Sequence, residues 1–370
     1  MEEPHFKDQI VEILTRRHGP DQANEIFKKS ELIKYLAIKT RSANRGSKAR
    51  GSFANLYAIY VLVEDYLQQG YPDNGSYADY EGAIFTELFK RQRELPFGEK
   101  LQNHALNSRC NEEFKKYFED IDKPLIVRDL QNSRYWINEG LLVGDFGNNI
   151  NLAADVIEII DAYTSLKQSS FNSFIETCEK ISELSEDKED QAVNFIEELL
   201  SPQSDARIFE IASFAILKAY HGKETIWIGP ERQTVKEMPL VLYKTGRTNA
   251  NDGGIDFVMN PLGRFYQVTE TLDLKKYFLD IEKIQRFPIT FVVKSELSND
   301  EIKQKLHSHA VEMFTAKRVV ESYMSAIEEI INLPTLRARL KECIEKNAID
   351  NVLSELVTQS RVEFQIAEAP

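Results

Sequence analysis

From residue 206 the chain runs helix, short strands, hairpin, helix, strand, and no other feature limits its fold as much. ARIFEIASFAILKAYHG (206–222) has the apolar spacing of a helix buried over most of its surface. ETIWIG and MPLVLYKTG are apolar runs of strand length. In IDFVMNPLGRFYQVTE, Pro261-Leu262-Gly263 turns one strand into the next. DLKKYFLDIEKIQRF then reads as a short helix, and PITFVVKS as a buried strand. Elements in this order bury their apolar faces as an α/β core with a mixed sheet. The tail from Asn299 to about Val357 reads as a mostly helical extension interrupted by Pro334.

The region before this core has another texture. Helical periodicity dominates it, with a strand pair expected in PLIVRDL and RYWINEGLLV. Two charged or polar breaks, SELSEDKEDQ (182–191) and SPQSD (201–205), suggest two domains, 1–200 and 201–370. A chain of 370 residues with 42% hydrophobic and 28% charged residues is long enough and balanced enough to bury two cores. Its longest apolar run, LYAIYVLV (56–63), falls far short of a membrane span. MEEPHFKDQ has no signal-peptide pattern, and Cys110, Cys178 and Cys343 fit neither a disulfide framework nor a zinc site. Those features lead us to expect a cytoplasmic location, no membrane partner and three buried thiols.

Net charge is −13, yet nucleic-acid binding depends on the cations that meet the phosphates rather than on the sum. Between Leu32 and Ser52 stand six basic residues and no acidic one. Within that island, KTRSANRGSKARGS (39–52) lacks hydrophobic period and reads as a loop. Lys39, Arg41, Arg45, Lys48 and Arg50 suit phosphate contact, and an arginine or Asn44 suits base edges.

Phosphate-loop, HExxH, CxxC, EF-hand and GxSxG motifs are all missing. What remains is Asp256 at the start of one hairpin strand and Gln267 and Thr269 on the other. Strand alternation puts Phe265, Gln267 and Thr269 on one face, so Asp256 beside Gln267 is an expected oxygen cage for a hard cation. Glu210 lies 46 residues before Asp256, a lone carboxylate in the apolar helix IFEIASFAIL. A charge there is costly unless it is paired or bound to metal.

FEIASFAILKAYHG, NDGGIDFV…GRFYQVTE, LDLKKYFLDIEKI and PITFVV together resemble the core of the PD-(D/E)XK nuclease superfamily. More narrowly, residues 205–295 look like a type II restriction endonuclease carrying an added N-terminal domain. The resemblance implies a restriction-endonuclease-like sheet flanked by helices, with Mg²⁺ held by a helix glutamate, a hairpin aspartate and a second acidic residue. A neighbouring lysine assists the attacking water. Glu210 and Asp256 carry over, but Gln267 stands where the second acid belongs and Thr269 where the lysine belongs. An amide brings no charge to a metal, and threonine brings none to a phosphate. Lys244, Lys275 and Lys276 are candidates for the missing charge, whereas Glu270 is turned away unless a bulge re-aims it.

The function implied is sequence-specific, Mg²⁺-dependent cleavage of double-stranded DNA by a homodimer, alongside a companion DNA methyltransferase in the host. Two alternatives are a repair or modified-DNA nuclease of the same superfamily and a catalytically silent DNA-binding protein.

Overall fold

A computed structural model describes residues 6–41, 49–71, 76–99, 101–119, 123–144, 150–184, 188–202, 204–245, 255–270 and 272–364, without the side chains of 49–52 and 364. The chain forms two compact units, Met1–Ser173 with Phe364–Pro370, and Phe174–Glu363.

The first unit is mostly helical, as its periodicity suggests. It holds α1 (Phe6–His18), α2 (Pro20–Lys29), α3 (Glu31–Lys39), α4 (Ala49–Gln68), α5 (Phe85–Glu94), α6 (Cys110–Tyr117) and α7 (Glu139–Leu142). Pro20 opens α2 at a position where its missing N–H costs nothing. Ser30 caps α3, its hydroxyl accepting from the Ile33 amide at 3.2 Å. Helix α4 buries Leu56, Ala58, Ile59, Val61 and Leu62 around its circumference, so it forms the centre of this core. The strand pair expected in 124–143 is present as β2 (Ile126–Asp129) and β3 (Arg134–Ile137), with β1 (Ala83–Ile84) on the other side of β3. A short ribbon, β4 (Val143–Gly144) with β5 (Ile150–Asn151), leads into α8 (Ala153–Glu183).

The unit boundary lies inside α8, not near residue 200. The physical reason is packing within the second unit. Phe174 of α8 meets Phe195 of α9 (Lys188–Leu199) with ring centroids 5.6 Å apart. Arg337 reaches Glu197 at 2.6 Å, and Arg361 reaches Glu179 at 2.5 Å. The charged stretch 182–191 therefore falls within the second unit, where it spans the end of α8 and the start of α9.

The second unit continues with α10 (Ala206–His221) and a two-stranded ribbon, β6 (Thr225–Ile228) with β7 (Lys236–Pro239). A five-stranded sheet follows, in the order β12-β11-β10-β9-β8. Its strands are β8 (Val241–Lys244), β9 (Phe257–Asn260), β10 (Arg264–Thr269), β11 (Ile289–Val293) and β12 (Ile327–Ile331). The β8–β9 and β9–β10 pairs are antiparallel, whereas β10–β11 and β11–β12 are parallel. The mixed α/β class expected from the sequence holds. Gly263, at φ +68°, supplies the left-handed turn residue between β9 and β10.

One face of this sheet packs α11 (Leu274–Lys283), α12 (Asn299–Met313) and α13 (Lys317–Ser325), through Tyr277, Phe278, Ile302 and Tyr323 against Ile289, Phe291 and Val293. The other face packs α10, whose Phe214 meets Phe257 at 5.1 Å. Helix α14 (Leu333–Glu345) lies beside α10, with the Cys343 thiol 3.8 Å from the Ile216 carbonyl, and α15 (Ile349–Phe364) ends the unit.

The C-terminal tail corrects the expectation of helices alone. Ile327–Ile331 completes the sheet as β12, parallel to β11, and Pro334 sits in the first turn of α14 instead of interrupting a helix. Among the described residues no helix is long and apolar enough to cross a membrane, and all three cysteines are free and buried.

Candidate active site

The site begins at the N-terminus of α10. The Asp205 carboxylate caps the helix, accepting from the Arg207 amide at 2.6 Å and the Ile208 amide at 3.4 Å. The next turn is committed to the core by Phe209, Ile211 and Ala212, which leaves Arg207 and Glu210 at the helix edge. Their spacing of three residues brings the side chains together, and one Arg207 Nη bonds a Glu210 oxygen. Lys244, at the end of β8, holds the other Glu210 oxygen at 3.0 Å. The Arg207 Nε reaches Glu363 of α15 at 2.9 Å. Burial alone would lower the Arg207 pKa, but Glu210, Glu363, Asp256 and Asp205 together raise it.

Asp256 joins this cluster because the ladder breaks at its position. A residue in a regular antiparallel pair exchanges both backbone bonds with one neighbour. The Asp256 N–H instead donates to the Tyr266 carbonyl of β10 at 2.9 Å, while its C=O accepts from Thr245, after β8, at 2.9 Å. Tyr266 is also the register partner of Phe257, so two consecutive residues oppose one, the arrangement of a β-bulge. The bulge brings the Asp256 carboxylate to the face of Phe257, where Oδ2 accepts from the Val268 amide at 2.7 Å. Burial and the Glu210 charge push the Asp256 pKa up to about 7, against the lowering effect of the Val268 N–H, Arg207 and Lys244.

Glu270 and Lys294 extend the same face. Lys294 follows β11 with its side chain only 1% exposed, 3.5 Å from Glu270 and 5.8 Å from the Phe209 ring. Its ammonium also donates to the Ser204 carbonyl, just before α10. Burial lowers the Lys294 pKa, opposed by Glu270 and Asp205. Among the described residues the cluster thus sets five carboxylates (Asp205, Glu210, Asp256, Glu270, Glu363) against three cations (Arg207, Lys244, Lys294), an excess of two formal negative charges.

Several expected site residues lie elsewhere. Gln267 pairs with Phe291 in the parallel β10–β11 ladder and so faces the α11 side, away from Glu210. There its Nε2 donates to the Val268 carbonyl at 3.2 Å, and its buried Oε1 has no hydrogen-bond partner among the described residues. Thr269 is buried on the same side, against the Tyr277 hydroxyl. The side-by-side placement of Asp256 and Gln267 fails because the bulge moves one of them across the sheet. Lys275 and Lys276 are exposed in the first turn of α11, again over the opposite face. Of the three candidate lysines, Lys244 is the one that meets Glu210.

The basic island also divides. Lys39 is a correction: it is 8% exposed, bonded to Glu113 at 2.6 Å and placed over the Tyr35 ring, so it serves the first unit's core rather than a phosphate. Arg41 is exposed. Asn44, Arg45 and Lys48 lie outside the described residues, and Arg50 falls in α4 without a described side chain.

Sequence reading missed Arg207, Lys294 and Glu363. Arg207 had a signal, its spacing of three from Glu210 on a helix. Lys294 had a weaker one, a lysine ending the apolar run ITFVV. Glu363 had none, since only folding brings α15 to α10.

Among the described residues no three Asp, Glu, His or Cys side chains converge to hold a cation by themselves. The donor set is the pair Asp256 and Glu210, and that suits Mg²⁺, which commonly takes one or two carboxylates and completes its shell with water and phosphate oxygens. Comparison with protein-family models, curated proteins and solved structures gives no match.

Proposed function

We propose that the second unit hydrolyses phosphodiester bonds of double-stranded DNA with the help of Mg²⁺, in the manner of a type II restriction endonuclease. The observation that carries this reading is the bulge that takes Asp256 out of its ladder and sets it beside Glu210. Asp256 and Glu210 would hold the cation. When bound, Mg²⁺ polarises the phosphate and makes a coordinated water a better nucleophile. Lys244 and Arg207, both bonded to Glu210, fix its carboxylate and keep positive charge next to the position of the phosphate. Lys294 and Glu270 hold the strand ends against the α10 terminus. The basic residues from Lys34 to Arg50, Lys39 apart, would supply cations for the DNA backbone, and two copies of the chain would cut the two strands.

One observation favours a second reading, a silent DNA-binding protein. Both Glu210 oxygens already have cationic partners, which satisfies a part-buried carboxylate without metal. Incubating the protein with plasmid DNA and Mg²⁺ separates the readings. Discrete fragments support site-specific cleavage, and a smear supports a non-specific or repair nuclease. Binding without cutting retires the hydrolytic reading.

A further inference from the structure

The first unit carries a pocket of about 380 Å³, walled by Phe27 of α2, Ala37 and Ile38 of α3, and Phe118 just beyond α6. Its rim carries Lys7 of α1, Lys34 of α3 and Arg41 just after α3. That volume lies within the range of small-ligand sites, ~300–1,000 Å³. Among the described residues no acidic one lines it, although the chain as a whole has a net charge of −13. Lys7 stands over the Phe27 ring at 5.1 Å, and among the described residues Lys7, Lys34 and Arg41 have no carboxylate partner. Their opposite is Lys39, on the same helix as Lys34, which turns inward to Glu113.

From this arrangement we infer that the pocket receives one unstacked nucleobase of a nucleic-acid strand, with the flanking phosphates on Lys7, Lys34 and Arg41. An apolar floor without hydrogen-bonding groups accepts the face of any base, so recognition is by stacking and not by sequence. Three separated cations match a strand with a phosphate on either side of the base, whereas a fatty acid offers a single charge. The inference rests on the nucleic-acid part of the proposed function for its ligand class, but not on hydrolysis.

The test compares two fluorescein-labelled DNA duplexes in EDTA, one fully paired and one with a single unpaired adenine. The native protein is expected to bind the bulged duplex about 10-fold more tightly. Ala37→Phe fills the pocket and leaves the cations in place, so it should erase the preference and keep the salt dependence, with circular dichroism melting confirming the fold. Lys34→Ala with Arg41→Ala should weaken both duplexes and reduce the salt slope by about 2. Equal affinity of the native protein for the two duplexes overturns the inference, as does a preference that survives Ala37→Phe. Anilinonaphthalene sulfonate that binds the native protein and is not displaced by the bulged duplex also overturns it, assigning the pocket to small aromatic anions. Plasmid cleavage in Mg²⁺ is scored on the same proteins. Cleavage without bulge preference retires the pocket alone, and bulge preference without cleavage retires the hydrolytic reading alone.

Discussion

The two faces of the five-stranded sheet are built from the same strands, yet they do different things. On the α11 face Gln267 and Thr269 sit among Tyr277, Phe291 and Val293, and among the described residues the Gln267 Oε1 has no partner. On the α10 face Arg207, Glu210, Lys244 and Asp256 form one set of charges, linked through Asp205 to the Lys294–Glu270 pair. Polar residues on a strand do not make a site by being polar. They make one where a helix terminus, a strand end and a bulge bring opposite charges within reach.

The strongest way to break this contrast is to change one residue on each face. Asp256→Ala should lower Mg²⁺-dependent cleavage by about 10³-fold and leave DNA retention on a filter unchanged, while Gln267→Leu stays within about twofold of the native rate. Loss of cleavage in Gln267→Leu with retention in Asp256→Ala would reverse the assignment of the faces.

Removing Glu210 tests whether its charge belongs to the network. Glu210→Gln leaves Arg207 and Lys244 facing each other without their shared carboxylate, and urea unfolding should show a loss of about 2–4 kcal/mol. A change below about 0.5 kcal/mol, the usual range for surface substitutions, would show that the pairs are solvent-screened.

Proton linkage gives a smaller effect. The folded Asp256 keeps its proton up to about pH 7, while the unfolded residue releases it near the ordinary value of 3.8. Between those values the native state binds more protons, so without divalent cation stability falls as pH rises from about 4 to about 7. Asp256→Asn should flatten that decline and be more stable than the native protein at pH 8 by about 1–2 kcal/mol. An unchanged pH profile would place the raised pKa elsewhere.

The smallest effect belongs to the other face. Gln267→Leu removes a buried oxygen that has no partner among the described residues and should leave stability unchanged or raise it by up to about 1 kcal/mol in thermal melts. A clear loss would mean that the amide has a partner the apolar face conceals.

Much of the second unit was legible in its sequence. The helix at 206–222, the strands at 241–244, 257–260, 264–269 and 289–293, and the helix at 274–283 each carry their own periodicity or turn chemistry. Strand β12 was not legible, because IEEII is short and its paired glutamates fit a helix surface as readily as a sheet edge. The site was half legible. Glu210 announced itself as a charge in an apolar helix, and Asp256 as the acid beside a hairpin.

Local chemistry accounts for most of the elements, β12 apart, since capping, alternation and turn residues act over a few neighbours. Which face each side chain serves follows from packing between distant segments. The Asp256 bulge depends on how its N–H and C=O are shared between β10 and the end of β8, and the Lys294 ammonium depends on where α10 begins. Such sharing is settled between segments far apart in the chain, where no local pattern records it.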